Sequence, residues 1–195
     1  MDIYEEILKA LEVEPRVMLA TIIATTGSTP AAALSKMLVK RAGIVSVGTV
    51  GGGCMEGDVL LHAHRLFDSH TAEILTFHLN EDDIEHGLIC GGTLEVLIEP
   101  LTQENIPLIK ELKAKRNDGE DCILATMITA DGSIKCKILI TNEHRGSFEE
   151  NSGIQKLLEY RQPIGISDSK GTIIEAVSEA YRRQATRRLK LTNGE

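Results

Sequence analysis

The sequence contains no tryptophan and few other aromatic residues. Phe, Trp and Tyr together make up 3% of its 195 residues, so a broad stacking surface for single-stranded nucleic acid is not expected. The net charge of −8 argues against a general binder of nucleic acid or of anionic membranes. No apolar run approaches the ~20 residues of a membrane helix, and the acidic first residues do not resemble a signal peptide. These absences predict a cytoplasmic protein with no nucleic-acid or membrane partner.

Cysteine is also scarce and has no paired spacing. The four cysteines lie at positions 54, 90, 122 and 136, with no C-x-x-C pair. This spacing is typical of neither a zinc ribbon nor a disulfide scaffold, and it favours reduced thiols. Hydrophobic residues make up 42% of the chain, which is enough for an aliphatic core in one domain or in one domain with an appendage.

Hydrophobic periodicity predicts an α/β fold in which helices flank a mixed sheet. Helices are predicted over residues 3–11, 58–68 and 106–115, with further elements over 155–160, 163–167 and 172–189. Strands are predicted over residues 17–24, 35–40, 44–47, 73–79 and 94–99, the last closed by Pro100.

A glycine-rich turn, Gly51-Gly52-Gly53 followed by Cys54, precedes the second predicted helix. Glycines leave room for a ligand, and their N–H groups can form an anion nest at a helix start. The alternative is a tight structural turn in which Cys54 is buried as a small hydrophobe. Glu56 either caps the helix start or polarises a ligand.

A second cysteine abuts glycines at Cys90-Gly91-Gly92. Two such turns in one small domain suggest a shared pocket with two thiols and exposed backbone amides. His86 lies four residues before Cys90, as two ligands on a helix would, but the neighbouring glycines argue against a helix, and no metal site is predicted. In the hydroxyl-rich turn before Pro30, Ser28 and Thr29 either serve an ordinary loop or bind a polar ligand.

The later sequence contains a short echo of the earlier one. Leu124-Ala125-Thr126 repeats Leu19-Ala20-Thr21, and Gly132-Ser133 repeats Gly27-Ser28 at the same offset. After a four-residue deletion, residues 137–140 resemble residues 36–39. This order predicts duplication of a helix–strand–turn–strand unit, in which the first copy carries the site. Cys122 and Cys136 are then packing residues of the second copy.

The ordered set of motifs resembles the amino-terminal domain of the XdhC/CoxI family, the xanthine dehydrogenase accessory factors. The resemblance is strongest over residues 3–101. It is carried by the following motifs, in chain order: Leu19-Ala20-Thr21, Gly27-Ser28-Thr29-Pro30, Lys36-Met37-Leu38-Val39, Gly51-Gly52-Gly53-Cys54-Met55-Glu56-Gly57, Gly87-Leu88-Ile89-Cys90-Gly91-Gly92 and Glu99-Pro100.

The resemblance implies a maturation factor for molybdenum hydroxylases, which carries the molybdenum cofactor (molybdopterin) during sulfuration and insertion rather than using it. It implies two partners, the hydroxylase apo-enzyme and a cysteine desulfurase, and it allows a homo-oligomer. The cofactor-binding domain is then residues 1–144, with residues 145–195 as a helical extension packed on it. The implied cofactor-binding residues are Ser28, Thr29, Lys36, Gly51, Gly52, Gly53, Cys54, Glu56, Cys90, Gly91 and Gly92.

Two departures from the family pattern are visible. Ala31 and Leu34 stand near the places where the family often has Arg and Gly, which bears on an anion contact from that loop. Full-length members also carry a Rossmann-like carboxy-terminal domain. No G-x-G-x-x-G motif follows residue 101, so no Rossmann domain and no nicotinamide binding are predicted.

Two rival hypotheses belong to other classes of protein. One is a sulfur-transfer enzyme that uses Cys54 as nucleophile or carrier, with His86 as base. The other is a docking scaffold that binds no small molecule and presents the arginines between residues 182 and 188 to an acidic partner.

Overall fold

The structure, a computed structural model, describes residues 2–41, 46–79, 91–119, 122–128 and 132–141. The chain divides into two compact units, residues 1–109 and residues 110–195. The predicted domain boundary at residue 144 stays a prediction. It lies outside the described residues, as do the elements predicted beyond residue 154, the acidic loop 80–85, His86 and Cys90.

The predicted α/β fold, with helices flanking a sheet, is confirmed, but the described strands pair antiparallel throughout and do not form the predicted mixed sheet. Five strands form one sheet in the order β3-β2-β1-β5-β4, and every neighbouring pair in it is antiparallel. A separate two-stranded sheet pairs β6 with β7. In chain order the elements are α1 (Ile3–Val13), β1 (Arg16–Thr26), β2 (Lys36–Val39), β3 (Val47–Gly48), α2 (Gly53–Leu66), β4 (Glu73–His78), β5 (Thr93–Thr102), a 3₁₀ turn (Gln103–Asn105), α3 (Ile106–Asn117), β6 (Cys122–Ile128) and β7 (Ile134–Thr141).

Alternating side chains of the five-stranded sheet build a core on each face. On one face, Met18, Ala20 and Ile22 of β1 join a buried cluster that includes Met55 and Val59 of α2. On the other face, the intervening β1 residues Val17 and Leu19 join a cluster with Ile7, Ala10 and Leu11 of α1. The period of two along β1 therefore places α1 and α2 on opposite faces of the sheet.

The start of α2 and the end of β5 differ from the sequence prediction in ways that affect the site and the sheet. Helix α2 begins at Gly53, five residues before the predicted start at residue 58, so Cys54 lies in its first turn. Strand β5 continues through Pro100 to Thr102, opposite β1. Strand β4 pairs with β5 only as far as Ile98, so Pro100 needs no ladder hydrogen bond on that side.

The predicted internal duplication is reflected in the strand register. Leu19 lies opposite Leu38 and Thr21 opposite Lys36 in the first unit. The equivalent residues of the second hairpin pair in the same way, with Leu124 opposite Leu139 and Thr126 opposite Lys137. The turn glycines of both copies also have left-handed backbones, with φ of 72° at Gly27 and 82° at Gly132. Helix α3 precedes β6 as α1 precedes β1, so the order of elements is repeated as well.

Arg16, the first residue of β1, holds the carboxyl end of α2. Its guanidinium donates to the carbonyl oxygens of Phe67 and, at 2.9 Å, Ser69. These carbonyls lie at and beyond the end of the helix, where the negative end of the helix dipole favours a cation. The Nε atom of Arg16 is buried and has no hydrogen-bond partner among the described residues. Hydrogen bonds therefore offset only part of the free-energy cost of removing the guanidinium from water. Arg16 therefore links the carboxyl end of α2 to the start of β1 through hydrogen bonds.

No helix in the described part of the chain is both long enough and apolar enough to cross a membrane.

Replacing Arg16 should loosen α2. We expect Arg16→Gln to lower the free energy of unfolding by about 2 kcal/mol, because it removes charged hydrogen bonds to helix-end carbonyls. Urea denaturation measures this change. Arg65→Gln is the matched control, since Arg65 is exposed in the last turn of the same helix and should cost less than about 0.5 kcal/mol. Equal losses in the two variants would contradict the role of Arg16.

Candidate functional site

The loop after β1 brings the two glycine-rich turns together. A Cβ built on Gly92 would lie 2.2 Å from the carbonyl oxygen of Ser28, and one on Gly51 would lie 2.9 Å from the ring of Pro30. Gly27 approaches Gly91 closely as well, since its own Cβ would lie 3.0 Å from the Gly91 carbonyl oxygen. The segment from Gly27 to Pro30 thus contacts both turns. The predicted pocket shared by Cys54 and Cys90 stays a prediction, because Cys90 lies outside the described residues.

Glu56 organises the turn before α2. Its Oε1 accepts hydrogen bonds from the N–H groups of Val50 at 3.2 Å and Gly52 at 3.0 Å. The Thr49 hydroxyl donates to the same oxygen and accepts from the N–H of Gly51 at 3.1 Å. The side chain therefore reaches back over the helix start, which is the capping role that was one of the two alternatives for Glu56. It also means that the carboxylate of Glu56 already accepts from the N–H of Gly52, which is one of the three N–H groups of the expected anion nest.

The outer side of the same turn is open. Among the residues that the structure describes, Cβ atoms built on Gly52 and Gly53 would meet nothing within 4 Å, and the same holds for Gly57 and Gly91. Gly52 and Gly53 nevertheless need to be glycine, because their φ angles are 80° and 64°. The N-cap Gly52 has no side chain to accept from the first N–H groups of α2, which by helix geometry have no intrahelical partner.

Cys54 is a free, exposed cysteine in the first turn of α2. The alternative of a buried, purely packing thiol is therefore wrong. The arrangement presents a soft sulfur ligand beside uncovered backbone and the positive end of a helix.

The structure does not bring all the predicted site residues together. The hydroxyl of Thr29 donates to the carbonyl of Ala31 at 3.0 Å and so supports its own loop, while Ser28 is exposed beside Gly92. Lys36 shares its sheet face with Leu38, which packs with α1, and thus lies on the opposite face from α2. Its Nζ donates to the carbonyl of Leu34 at 3.1 Å.

Sequence reasoning missed Thr49 as a member of the site. Its hydroxyl links Glu56 to the N–H of Gly51. The only sequence signal is a hydroxyl residue two positions before a glycine run, as in a common side-chain turn motif. That signal does not reveal the contact with a carboxylate seven residues later.

Among the described residues, no three His, Cys, Asp or Glu side chains are arranged to hold a metal ion. His62 is partly exposed, and its Nδ1 lies 2.9 Å from Oε2 of Glu73. This contact joins α2 to the start of β4. His64, two residues later, is exposed.

Leu34 occupies a strained position in the loop that leads to β2. Its φ is 71°, and it is the only described residue other than glycine with a positive φ. Its N–H donates to the carbonyl of Ile22 at 2.9 Å, which fixes the loop against β1. The left-handed backbone explains why a glycine is typical near this place in the family that the sequence resembles.

Comparison with known proteins confirms the family resemblance. Residues 10–78, which include β1, β2 and α2, match the model of the XdhC and CoxI family. The matched segment contains Gly27 to Pro30 and the whole turn from Thr49 to Glu56. Residues 10–78, with the fold and the turn that they contain, are thus similar to the XdhC and CoxI family.

Two individual proteins show the extent of this similarity. Over 97 residues the chain is 35% identical to a probable xanthine dehydrogenase subunit of Bacillus subtilis (strain 168), covering 48% of this chain and 29% of that protein. The fold is similar to the crystal structure of a xanthine dehydrogenase from Bacillus halodurans, with a TM-score of 0.59, 24% identity and coverage of 72% of this chain and 43% of that one. The chain therefore spans less than a third of the first protein and less than half of the second.

The close approach of Gly92 to the end of β1 and the loop after it predicts opposite effects of alanine substitution at the neighbouring residues Gly91 and Gly92. We expect Gly92→Ala to destabilise the protein by about 3 kcal/mol or more, because the new methyl group would overlap the backbone oxygens of Thr26 and Ser28. Gly91→Ala should change stability by less than about 1 kcal/mol, since its Cβ points to open space. Thermal and urea denaturation measure both variants. A tolerated alanine at 92 would argue against the close approach.

Relieving the strain at residue 34 should stabilise the protein. We expect Leu34→Gly to raise the free energy of unfolding by about 1 kcal/mol, because a left-handed backbone costs L-residues about 1–2 kcal/mol and glycine little. The leucine side chain is 48% exposed, so little burial is lost. Leu34→Ala keeps the strain and should not stabilise. A gain in the alanine variant equal to that of glycine would contradict this explanation.

Proposed function

We propose that this chain is a maturation factor for molybdenum hydroxylases of the xanthine dehydrogenase type. In this role it binds the molybdenum cofactor while the cofactor is sulfurated and inserted. The single observation that carries the proposal is the exposed Cys54 thiol beside the uncovered Gly52-Gly53 backbone. This pair lies inside the segment that matches the XdhC and CoxI family, residues 10–78.

The site has separate groups that suit the metal and the phosphate of the molybdenum cofactor. A molybdenum centre with sulfur ligands is soft, and a cysteine sulfur is the side-chain donor that suits it. Cys54 would face the metal or its sulfur. A cargo phosphate would be held by the N–H groups of Gly53 and Cys54 at the open helix start, because Glu56 already engages Val50 and Gly52.

The loop from Gly27 to Pro30 acts in this proposal as the support of the site. It packs against Gly51 on one side and Gly92 on the other, and so sets the distance between the two turns. Ser28, exposed in this loop, is available for a polar contact with the cargo. Cys90 precedes Gly91 directly in sequence, and its participation is part of the proposal.

The partners follow from the same family. The names of the similar proteins refer to xanthine dehydrogenase. We therefore propose a molybdenum hydroxylase apo-enzyme as the recipient of the cargo and a cysteine desulfurase as the source of its sulfur.

Anaerobic binding of freshly released molybdenum cofactor tests the proposal. Wild-type protein should bind it, and Cys54→Ser should bind it at least about tenfold more weakly, a loss of about 1.4 kcal/mol. Cys90→Ser should weaken binding in the same direction. Leu61→Ser is the control, since Leu61 is 60% exposed on α2 outside the glycine turn, and its affinity should match wild type.

Each other outcome favours a different function. Unchanged affinity in Cys54→Ser with loss of sulfur transfer would favour the sulfur-transfer enzyme. No binding by the wild-type protein would overturn the carrier function and favour the docking scaffold.

A further inference from the structure

Helix α2 has an exposed leucine at the centre of its outer face. Leu61 is 60% exposed, whereas Val59 and Ala63 of the same helix are buried against the sheet. The outer face of an amphipathic helix normally has a polar residue at this place. One turn before Leu61 on the same face is Gly57, where a Cβ would meet no described atom within 4 Å. A partner surface could therefore approach the helix closely here.

The charged residues beside Leu61 are complementary to a second copy of the same helix. Asp58 and Arg65 are both exposed, and neither forms an ion pair in the described part of the chain. Asp58 lies one turn before Leu61 and Arg65 one turn after it, on the same side of the outer face. An antiparallel second copy, turned by half a rotation about Leu61, would therefore place its Arg65 opposite Asp58 and its Asp58 opposite Arg65.

The direction of the second helix follows from the same charges. In a parallel pair, equivalent residues of the two copies lie at the same height, so each charge meets its own sign at this level of the interface. In an antiparallel pair both charges meet the opposite sign. Flanking charges of this kind set the partner and the orientation of paired helices.

We propose that the outer face of α2, from Gly57 to Arg65, is an interface between two copies of this chain. The two helices pack antiparallel, with the Leu61 side chains of both copies in contact at the twofold axis and an Asp58–Arg65 ion pair on each side of them. The interface is thus isologous, with the same surface used by both copies. One helix face buries less than the about 1,200 Å² of a standard interface, so the dimer is weak and depends on protein concentration.

This interface does not depend on the proposed function. Cys54 lies four residues before Asp58, about 6 Å further along the helix axis, so the amino end of α2 is outside the contact. The affinity of each subunit for the molybdenum cofactor should therefore be the same in monomer and dimer. Leu61→Ser separates the two properties, because it should weaken association and leave cofactor affinity unchanged.

Sedimentation velocity of the full chain tests the interface, at low ionic strength and at protein concentrations up to about 1 mM. The wild-type protein should change from monomer to dimer over this range. Leu61→Ser should raise the dissociation constant of the dimer at least about tenfold, because an apolar contact between two leucines is lost. Added salt should weaken the wild-type dimer, since the ion pairs at its rim are screened.

Charge reversal tests the antiparallel pairing itself. Asp58→Arg and Arg65→Asp should each weaken self-association at least about tenfold, because each replaces both ion pairs by pairs of like charge. An equimolar mixture of the two variants should associate about as well as wild type. One variant then presents two positive charges and the other two negative charges, so both contacts are attractive again. The double variant Asp58→Arg/Arg65→Asp should recover self-association for the same reason.

Glu12→Arg is the matched control for Asp58→Arg. Glu12 is exposed on α1, on the opposite face of the sheet, and its substitution makes the same change in net charge. It should alter the dissociation constant by less than about threefold. The charge variants should also unfold near the wild-type temperature, so that misfolding cannot explain their monomeric state.

Three results would overturn the inference. These are a wild-type protein that is monomeric at every concentration, an equal effect of Glu12→Arg and Asp58→Arg, and a folded mixture of the two charge variants that does not associate. The first of them would leave the outer face of α2 to a different protein. Cofactor binding by a purely monomeric protein would retain the proposed function without this interface. A dimer that binds no cofactor would retain the interface and overturn that function.

Discussion

The site depends on three backbone segments that approach each other more closely than side chains allow. Gly27, Gly51 and Gly92 each face a neighbour where a Cβ would lie 3.0 Å or less from another atom. The loop from Gly27 to Pro30 follows directly after β1, which pairs with β5 from Arg16 opposite Thr102 to Thr26 opposite Thr93. The glycines at these three positions therefore serve close packing, whereas Gly52 and Gly53 border open space.

Helix α2 is fixed at both ends by side chains that complement its dipole. At the amino end Glu56 turns back to the N–H of Gly52, and at the carboxyl end Arg16 donates to the Phe67 and Ser69 carbonyls. Between them Met55, Val59 and Ala63 bury one side of the helix against the sheet. The position of Cys54 is thus determined by a packed helix and a hydrogen-bonded turn, which is a more precise support than a free loop.

The sequence pattern was sufficient for the fold because the core-forming signals are local and periodic. Residues 17–24 form a nearly continuous apolar run, and residues 17–22 are the buried part of β1. The start of α2 could not be predicted, because Gly53, Cys54 and Gly57 are poor helix formers and become helical through a contact from Glu56 back to the turn. Lys36 is among the cofactor-binding residues that the family resemblance implies. Its motif lies near the glycine turn in sequence, but the strand alternation places it on the α1 face.

A comparison of the two copies of the duplicated unit distinguishes the residues that the fold requires from those that the site requires. Both copies keep the Leu–Leu and Thr–Lys strand pairs and a turn glycine in the left-handed region. In the second copy the Nζ of Lys137 donates to the hydroxyl of Thr126 at 2.7 Å, so this pair contributes a contact within the hairpin itself. The second copy has no equivalent of Pro30 and no triple glycine. The two copies therefore share the hairpin and its strand register. The loop that contains Pro30 and contacts Gly51 is present in the first copy alone. This division is expected when a site is built on a scaffold whose stability does not depend on it.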